Sequence, residues 1–239
     1  MIKIHESMIQ LKVSDGTQMA AFVAKPDGAI QGGILVFQEA FGVNNHIENI
    51  ARRLAREGYV AIAPELFHRT APVGFEEAYD NYQALKPHFD ALSDETLMAD
   101  AKAAYEWFRN EAGLKANSIG CVGFCMGGRV AFMANAVLPV RAAVSFYGSR
   151  ILTQSLPLAK DQKAPLLLLW GGKDKAAPPE KIKELTDSLK EAGKDFINAE
   201  FSEAGHGFNC DDRSDYHPAS ADTAWAMTLA FFKRHLGLA

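Results

Sequence analysis

A cysteine, an aspartate and a histidine with glycines close by stand in that order along the chain, and a glutamate precedes all three. The cysteine is Cys125 in "GFCMGGR", residues 123–129. Gly123 and Gly127 frame it in a Gly-x-Cys-x-Gly pattern, and glycine tolerates the crowding of a sharp strand-to-helix turn. A cysteine held there sits at a helix N-terminus, where the positive dipole end favours thiolate over thiol. The bland alternative is a small apolar residue that packs, and that reading suits Cys121, in the middle of "SIGCVGF". His206 in "EAGHGFN" lies between Gly205 and Gly207 and can serve as a general base. Asp174 in "WGGKDKAAPPE" is by itself equally a turn or N-cap residue. Glu39 in "VFQEAFG" follows a buried run that partly desolvates its carboxylate.

Short β-rich runs alternating with amphipathic ones must position these residues. "MIQLKV" and "QMAAFVAKP" read as a hairpin turning at Ser14 to Thr17. "GGILVFQEAFG" is a strand entering a loop, and "NHIENIARRLAREG" is a helix with Ile47, Ile50, Ala51 and Leu54 on one face. "YVAIAPE" is the next strand. An excursion from Leu66 to about Ser93 follows, with one short helix expected near Glu76 to Leu85. Residues 94–112 are a long helix, and "SIGCVGF" meets the helix "MGGRVAFMANA" with only Cys125 between. "VRAAVSFYG" and "APLLLLWGG" are near-continuous apolar runs, as in parallel strands buried on both faces. Residues 178–193 are a helix with Pro in its first turn and Gly past its end. "FINAEFSEAG" is the last strand, and residues 220–237 form the closing helix. The expectation is one α/β domain over residues 1–239: a mostly parallel sheet of about eight strands, antiparallel at its first edge, with helices on both faces. Ligands bind outside the carboxyl ends of such strands, where Glu39, Cys125, Asp174 and His206 all fall.

Bulk properties narrow the function classes. The chain is 48% hydrophobic and 23% charged, with a net charge of -4 and no block of like charge. Nothing in that balance favours nucleic acid or an acidic membrane surface. The 3 cysteines form neither a disulfide framework nor a zinc pattern, so no metal or cofactor is expected and a reducing compartment fits. The opening residues lack a signal-peptide apolar core, and no run reaches the roughly 18–20 apolar residues that span a bilayer. These features point to the cytoplasm.

The order Cys125, Asp174, His206 matches the nucleophile–acid–histidine order of α/β-hydrolases. On that fold the amides of Ala40 and Met126 form an oxyanion hole. The chain resembles the dienelactone hydrolase (carboxymethylenebutenolidase) family nearly end to end. The resemblance is carried by "QEAFGVN", "YVAIAPEL", "GFCMGG", "AAVSFYG", "WGGKDKAAPP" and "EAGHGF". It implies that Cys125 is the nucleophile, His206 its base, Asp174 the orienting acid and Glu39 the group that helps generate the thiolate. It also implies a small-molecule ester or lactone substrate and no cofactor. Family members acting on dienelactone hold the substrate carboxylate with two arginines; at the matching spacings this chain has Phe75 and Cys210. Arg69 or Arg129 are the substitutes the sequence offers, and Phe41, Tyr79, Tyr82 and Phe208 are candidate pocket walls, each equally readable as core.

A thioester acyl-enzyme follows from these assignments, with a preference for enol-lactones and aryl esters over alkyl esters. A broader carboxylesterase or thioesterase on the same fold is the nearest alternative. A thiol redox sensor is the non-enzymatic one, though a sensor has no need of Asp174 and His206 in that order. The sequence leaves oligomeric state, pathway and physiological substrate open.

Overall fold

A computed structural model describes residues 2–236. Eight strands form one sheet: β1 (Ile4–Lys12), β2 (Gln18–Pro26), β3 (Gly32–Phe37), β4 (Tyr59–Pro64), β5 (Ile119–Phe124), β6 (Ala143–Phe146), β7 (Leu166–Gly171) and β8 (Phe196–Phe201). Their order is β1-β2-β4-β3-β5-β6-β7-β8. β2 is antiparallel to both its neighbours, and every pair from β4 to β8 is parallel. The expected single α/β domain, antiparallel at its first edge, is what the chain adopts.

Among the described residues, six α-helices cover the sheet: α1 (Asn45–Arg56), α2 (Tyr82–Asp90), α3 (Asp94–Asn110), α4 (Met126–Val137), α5 (Pro179–Glu191) and α6 (Pro218–His235). The side-chain period of two sorts each strand between two cores. Leu35, Phe37, Cys121, Leu166, Leu168 and Trp170 face α3, α4 and α5, whereas Ile34, Val36, Val122, Phe124, Leu167 and Leu169 face α1 and α6. β3 to β7 are buried along their whole length, which is why they read as apolar runs. Each fully buried Leu, Ile or Phe contributes about 1.5–3 kcal/mol.

One expectation changes. The short helix of the excursion is α2, beginning at Tyr82, because the backbone before it is engaged elsewhere: Gly42 and Glu76 form an isolated bridge, and the Glu77 amide donates to the Phe41 carbonyl at 3.2 Å. Residues 151–161, to which the sequence pattern assigns no element, wind into a π-turn followed by a 3-10 turn. The expected end of the closing helix at Gly237 lies outside the described residues. Among those described, no helix is long and apolar enough to cross a membrane.

Candidate active site

Sheet order brings the four candidates to one rim. β3 lies beside β5 with Phe37 paired to Gly123, so the loop carrying Glu39 emerges next to Cys125. β6 and β7 follow, and Gly171 at the end of β7 pairs with Phe201 at the end of β8. The loops beyond these two strands are laced together, with the Gly172 amide on the Phe201 carbonyl at 2.8 Å and the Lys173 amide on the Ala204 carbonyl at 2.9 Å. A Cβ on Gly171 would stand 2.3 Å from the Gly205 carbonyl oxygen, so the glycine is what lets the histidine loop close over β7.

Cys125 occupies the turn between β5 and α4 at φ 52 and ψ -113. A non-glycine residue at positive φ costs about 1–3 kcal/mol and persists only where the surroundings impose it. Here they do. A Cβ on Gly123 would lie 1.8 Å from the Gly127 carbonyl oxygen, and one on Gly127 would lie 2.2 Å from that of Phe37. The turn is therefore wedged between its own first helical residues and the end of β3. The same wedge sets Gly127, which follows Met126 at the start of α4, against the Phe37–Gln38 backbone that leads into Ala40. Gln38 holds that backbone, donating to the Glu39 carbonyl at 3.1 Å and accepting from the Leu66 amide at 3.0 Å.

His206 Nε2 lies 3.1 Å from the Cys125 sulfur, and its Nδ1 lies 2.7 Å from Asp174 Oδ2. Asp174 is buried, and its other oxygen accepts from the Ala176 amide at 2.9 Å. Burial would lower the His206 imidazole, but the hydrogen bonds to Asp174 and Cys125 outweigh it and carry the group up to about 10. His206 is thus charged at neutral pH. Cys121 contrasts with Cys125: fully buried in β5, its thiol is pushed well up by desolvation and is inert.

Glu39 is 1% exposed, and neither carboxylate oxygen has a hydrogen-bond partner. Its nearest countercharge is Arg213, with Nη1 3.6 Å from Oε1. Sequence reading missed Arg213, because it follows His206 through an irregular loop with no periodicity to follow. Gly207 at φ +80 and two successive turns, Cys210 amide to Gly207 carbonyl and Arg213 amide to Cys210 carbonyl, fold that loop back. The guanidinium ends 5.6 Å from the ring centres of both Phe41 and Tyr79. The rim therefore does hold an arginine, one the matching-spacing comparison did not find.

The other expected contacts divide. Phe41 and Tyr79 pack with their ring centres 4.5 Å apart and tilted by 57°, beside Glu39 and Arg213. Arg69 is engaged away from the rim: its guanidinium makes two hydrogen bonds to buried Asp100, at 2.9 and 2.8 Å, and a third to Asp15. Arg129 is bound to Ser155 and Asp94. Tyr82 starts α2 with its side chain half exposed, and Phe208 is fully buried against Tyr147, Phe146 and Phe201. Neither of those two lines either cavity beside the elbow. Tyr147, also unforeseen, packs edge-on to His206 at 5.2 Å with its hydroxyl buried and unpartnered. Two cavities flank the elbow, one of about 420 Å³ reaching Met126, Arg129 and Arg150, the other of about 700 Å³ along Asp174, His206 and Ser149.

The profile of the Dienelactone hydrolase family matches residues 19–236. A Yersinia pestis protein named "Putative carboxymethylenebutenolidase" is 36% identical over 233 residues, covering 93% of this chain and 86% of its own. An Escherichia coli (strain K12) protein of the same name is 36% identical over 236 residues, covering 94% and 85%. The crystal structure of a "Putative Dienelactone Hydrolase" from Klebsiella pneumoniae superposes with a TM-score of 0.88 at 32% identity, covering 98% of this chain and 100% of that one. A dienelactone hydrolase-like promiscuous phosphotriesterase from metagenomic libraries shares the fold, at TM-score 0.83 and 19% identity over 98% of this chain and 99% of its own. By profile, relatives and fold alike, the chain belongs to the dienelactone hydrolase family, hydrolases of esters and lactones.

Proposed function

We propose that the protein hydrolyses enol-lactones and activated esters through a thioester on Cys125. The observation that carries this reading is the connected chain of Cys125 sulfur, His206 and Asp174, at 3.1 and 2.7 Å, on a rim that also holds Glu39. The Cys125 sulfur attacks the acyl carbon while the amides of Ala40 and Met126 receive the oxyanion. The tetrahedral intermediate collapses by breaking the bond from carbon to ring or ester oxygen, and that oxygen takes the proton of the His206 imidazolium. Acylation also removes the interaction with the Cys125 sulfur that helps hold the His206 proton. The imidazole then becomes basic enough to draw a proton from water, which attacks the thioester, frees the acid and restores the thiolate.

Leaving-group order sets the substrate class. A thiolate departs more readily than an ordinary alkoxide, so the intermediate goes forward only when the departing oxygen is a stabilised enolate or phenolate. Arg213 is the cation available to a carboxylated substrate and to Glu39, which we assign the thiolate-generating role. The three free cysteines fit a cytoplasmic setting. The test compares an enol-lactone, a p-nitrophenyl ester and an alkyl ester in the natural protein and in Cys125→Ala. Turnover of the first two, slow alkyl ester cleavage and loss of all activity in the variant are expected. Alkyl ester cleavage as fast as the aryl ester removes the leaving-group argument, and thioesters in the same panel separate a thioesterase.

A further inference from the structure

Behind the rim, three buried side chains far apart in sequence converge: Glu39 after β3, His46 in the first turn of α1 and Cys210 in the folded-back loop. One ligand atom from each lies within 4.8 Å of the others. All three residues are at most 3% exposed. Both Glu39 oxygens and His46 Nε2 lack hydrogen-bond partners, and the amide nitrogen and oxygen of neighbouring Asn209 lack them as well. Buried polar atoms are ordinarily satisfied, so so many orphans around one point require an explanation.

From this convergence we infer that Glu39, His46 and Cys210 form a binding site for a zinc-class divalent cation. Carboxylate, imidazole and thiolate together favour Zn²⁺ over Mg²⁺ or Ca²⁺, which take oxygen ligands. Donors held about 2.0–2.3 Å from a tetrahedral centre stand roughly 3.3–3.7 Å apart, a spacing that modest side-chain rotation reaches. The surroundings are those of a ligand set. His46 Nδ1 faces the Asp211 carboxylate at 3.6 Å, the arrangement that orients a metal-binding imidazole. Glu39 Oε1 is turned to Arg213, leaving Oε2 for the metal. The Cys210 thiol makes its hydrogen bond to the Tyr79 hydroxyl, at 3.1 Å, and on coordination its proton passes to solvent. Of the three, His46 reaches a surface cavity of about 200 Å³, which Asn209, Asp211, Arg53 and Arg56 also line. Cys210 also belongs to a second cluster, with Asp211 and Asp212. The spacing 39, 46, 210 has no sequence signature, so the site is visible only in the fold.

A cation here would immobilise Glu39. If Glu39 has the role proposed above, occupancy slows turnover; binding itself does not depend on that role. The experiment uses Cys125→Ala, which removes the competing sulfur of the rim. Titration with Co²⁺ is expected to give one equivalent of binding with a thiolate-to-cobalt charge-transfer band, displaced by Zn²⁺. The band is expected to disappear in Cys125→Ala/Cys210→Ser, and affinity to fall by more than about tenfold in Cys125→Ala/His46→Gln. No band in Cys125→Ala, or an equal band without Cys210, overturns the site, and the His46 variant carries the test if the Cys210 variant does not fold. Zn²⁺ inhibition of the Cys125 enzyme that is undiminished by Cys210→Ser overturns only the effect on turnover.

Discussion

Replacing Asp174 by asparagine removes one charge from the centre of the account and leaves the shape intact. Asp174 Oδ2 stands 2.7 Å from His206 Nδ1 in a buried position, so the contact is a charge-assisted hydrogen bond with little solvent screening. Such bonds contribute about 1.5–3 kcal/mol. At 1.36 kcal/mol per pKa unit, His206 should fall by roughly 1–2 units from its value of about 10. The same bond fixes the ring in the orientation that donates to the leaving oxygen, and losing that much positioning energy slows acylation by roughly 10- to 150-fold. Histidine-labelled protein followed by NMR across pH reads the first quantity, with His206→Gln identifying the resonance. Stopped-flow release of p-nitrophenol from p-nitrophenyl acetate reads the second. An unchanged His206 titration together with an unchanged acylation rate would refute the claim that Asp174 governs His206. A rate loss without a titration shift would place the effect of Asp174 in orientation alone.

Gly127→Ala places a Cβ 2.2 Å from the Phe37 carbonyl oxygen, so the elbow must shift. Stability should fall by about 1–3 kcal/mol in denaturant melts, with activity falling further than stability explains. Arg213→Met should raise KM for a carboxylated lactone while leaving KM for a neutral lactone close to its original value; equal changes for both would remove the carboxylate assignment. The raised His206 pKa also sets a pH dependence of stability. Its contribution is fully present below the unfolded value of about 6.5 and is lost as pH rises through about 10. Thermal melts should therefore show an alkaline loss of stability that is smaller in His206→Gln.

Particular residues show how far the sequence reached. β3 to β7 were legible because burial on both faces leaves unbroken apolar runs, and the face shared by Ile47, Ile50, Ala51 and Leu54 is buried in α1. Cys125 and Asp174 were placed at the rim because each stands just beyond such a run, and His206 because it follows the last strand, β8, between two glycines. The start of β1 was not: Ile4–Ser7 form an edge whose side chains are largely exposed, so only pairing with β2 defines it. The position of α2 depends on the long-range Gly42–Glu76 bridge. Arg213 and the convergence of His46 with Cys210 depend on a loop that folds back through turns, where no period links residue type to position. Arg69 misled for a related reason: its partner Asp100 lies 31 residues away and is buried, which spacing does not reveal.

The central claim is that the acyl group passes through the Cys125 sulfur. Acid-quenching the enzyme during turnover of p-nitrophenyl acetate and digesting it with trypsin yields the peptide 116–129, which holds both Cys121 and Cys125. Fragmentation mass spectrometry should find one acetyl group as a thioester on Cys125, none on Cys121, and no adduct in Cys125→Ala. Full turnover by Cys125→Ala, or an acetyl group trapped on any other side chain in its place, would contradict the account.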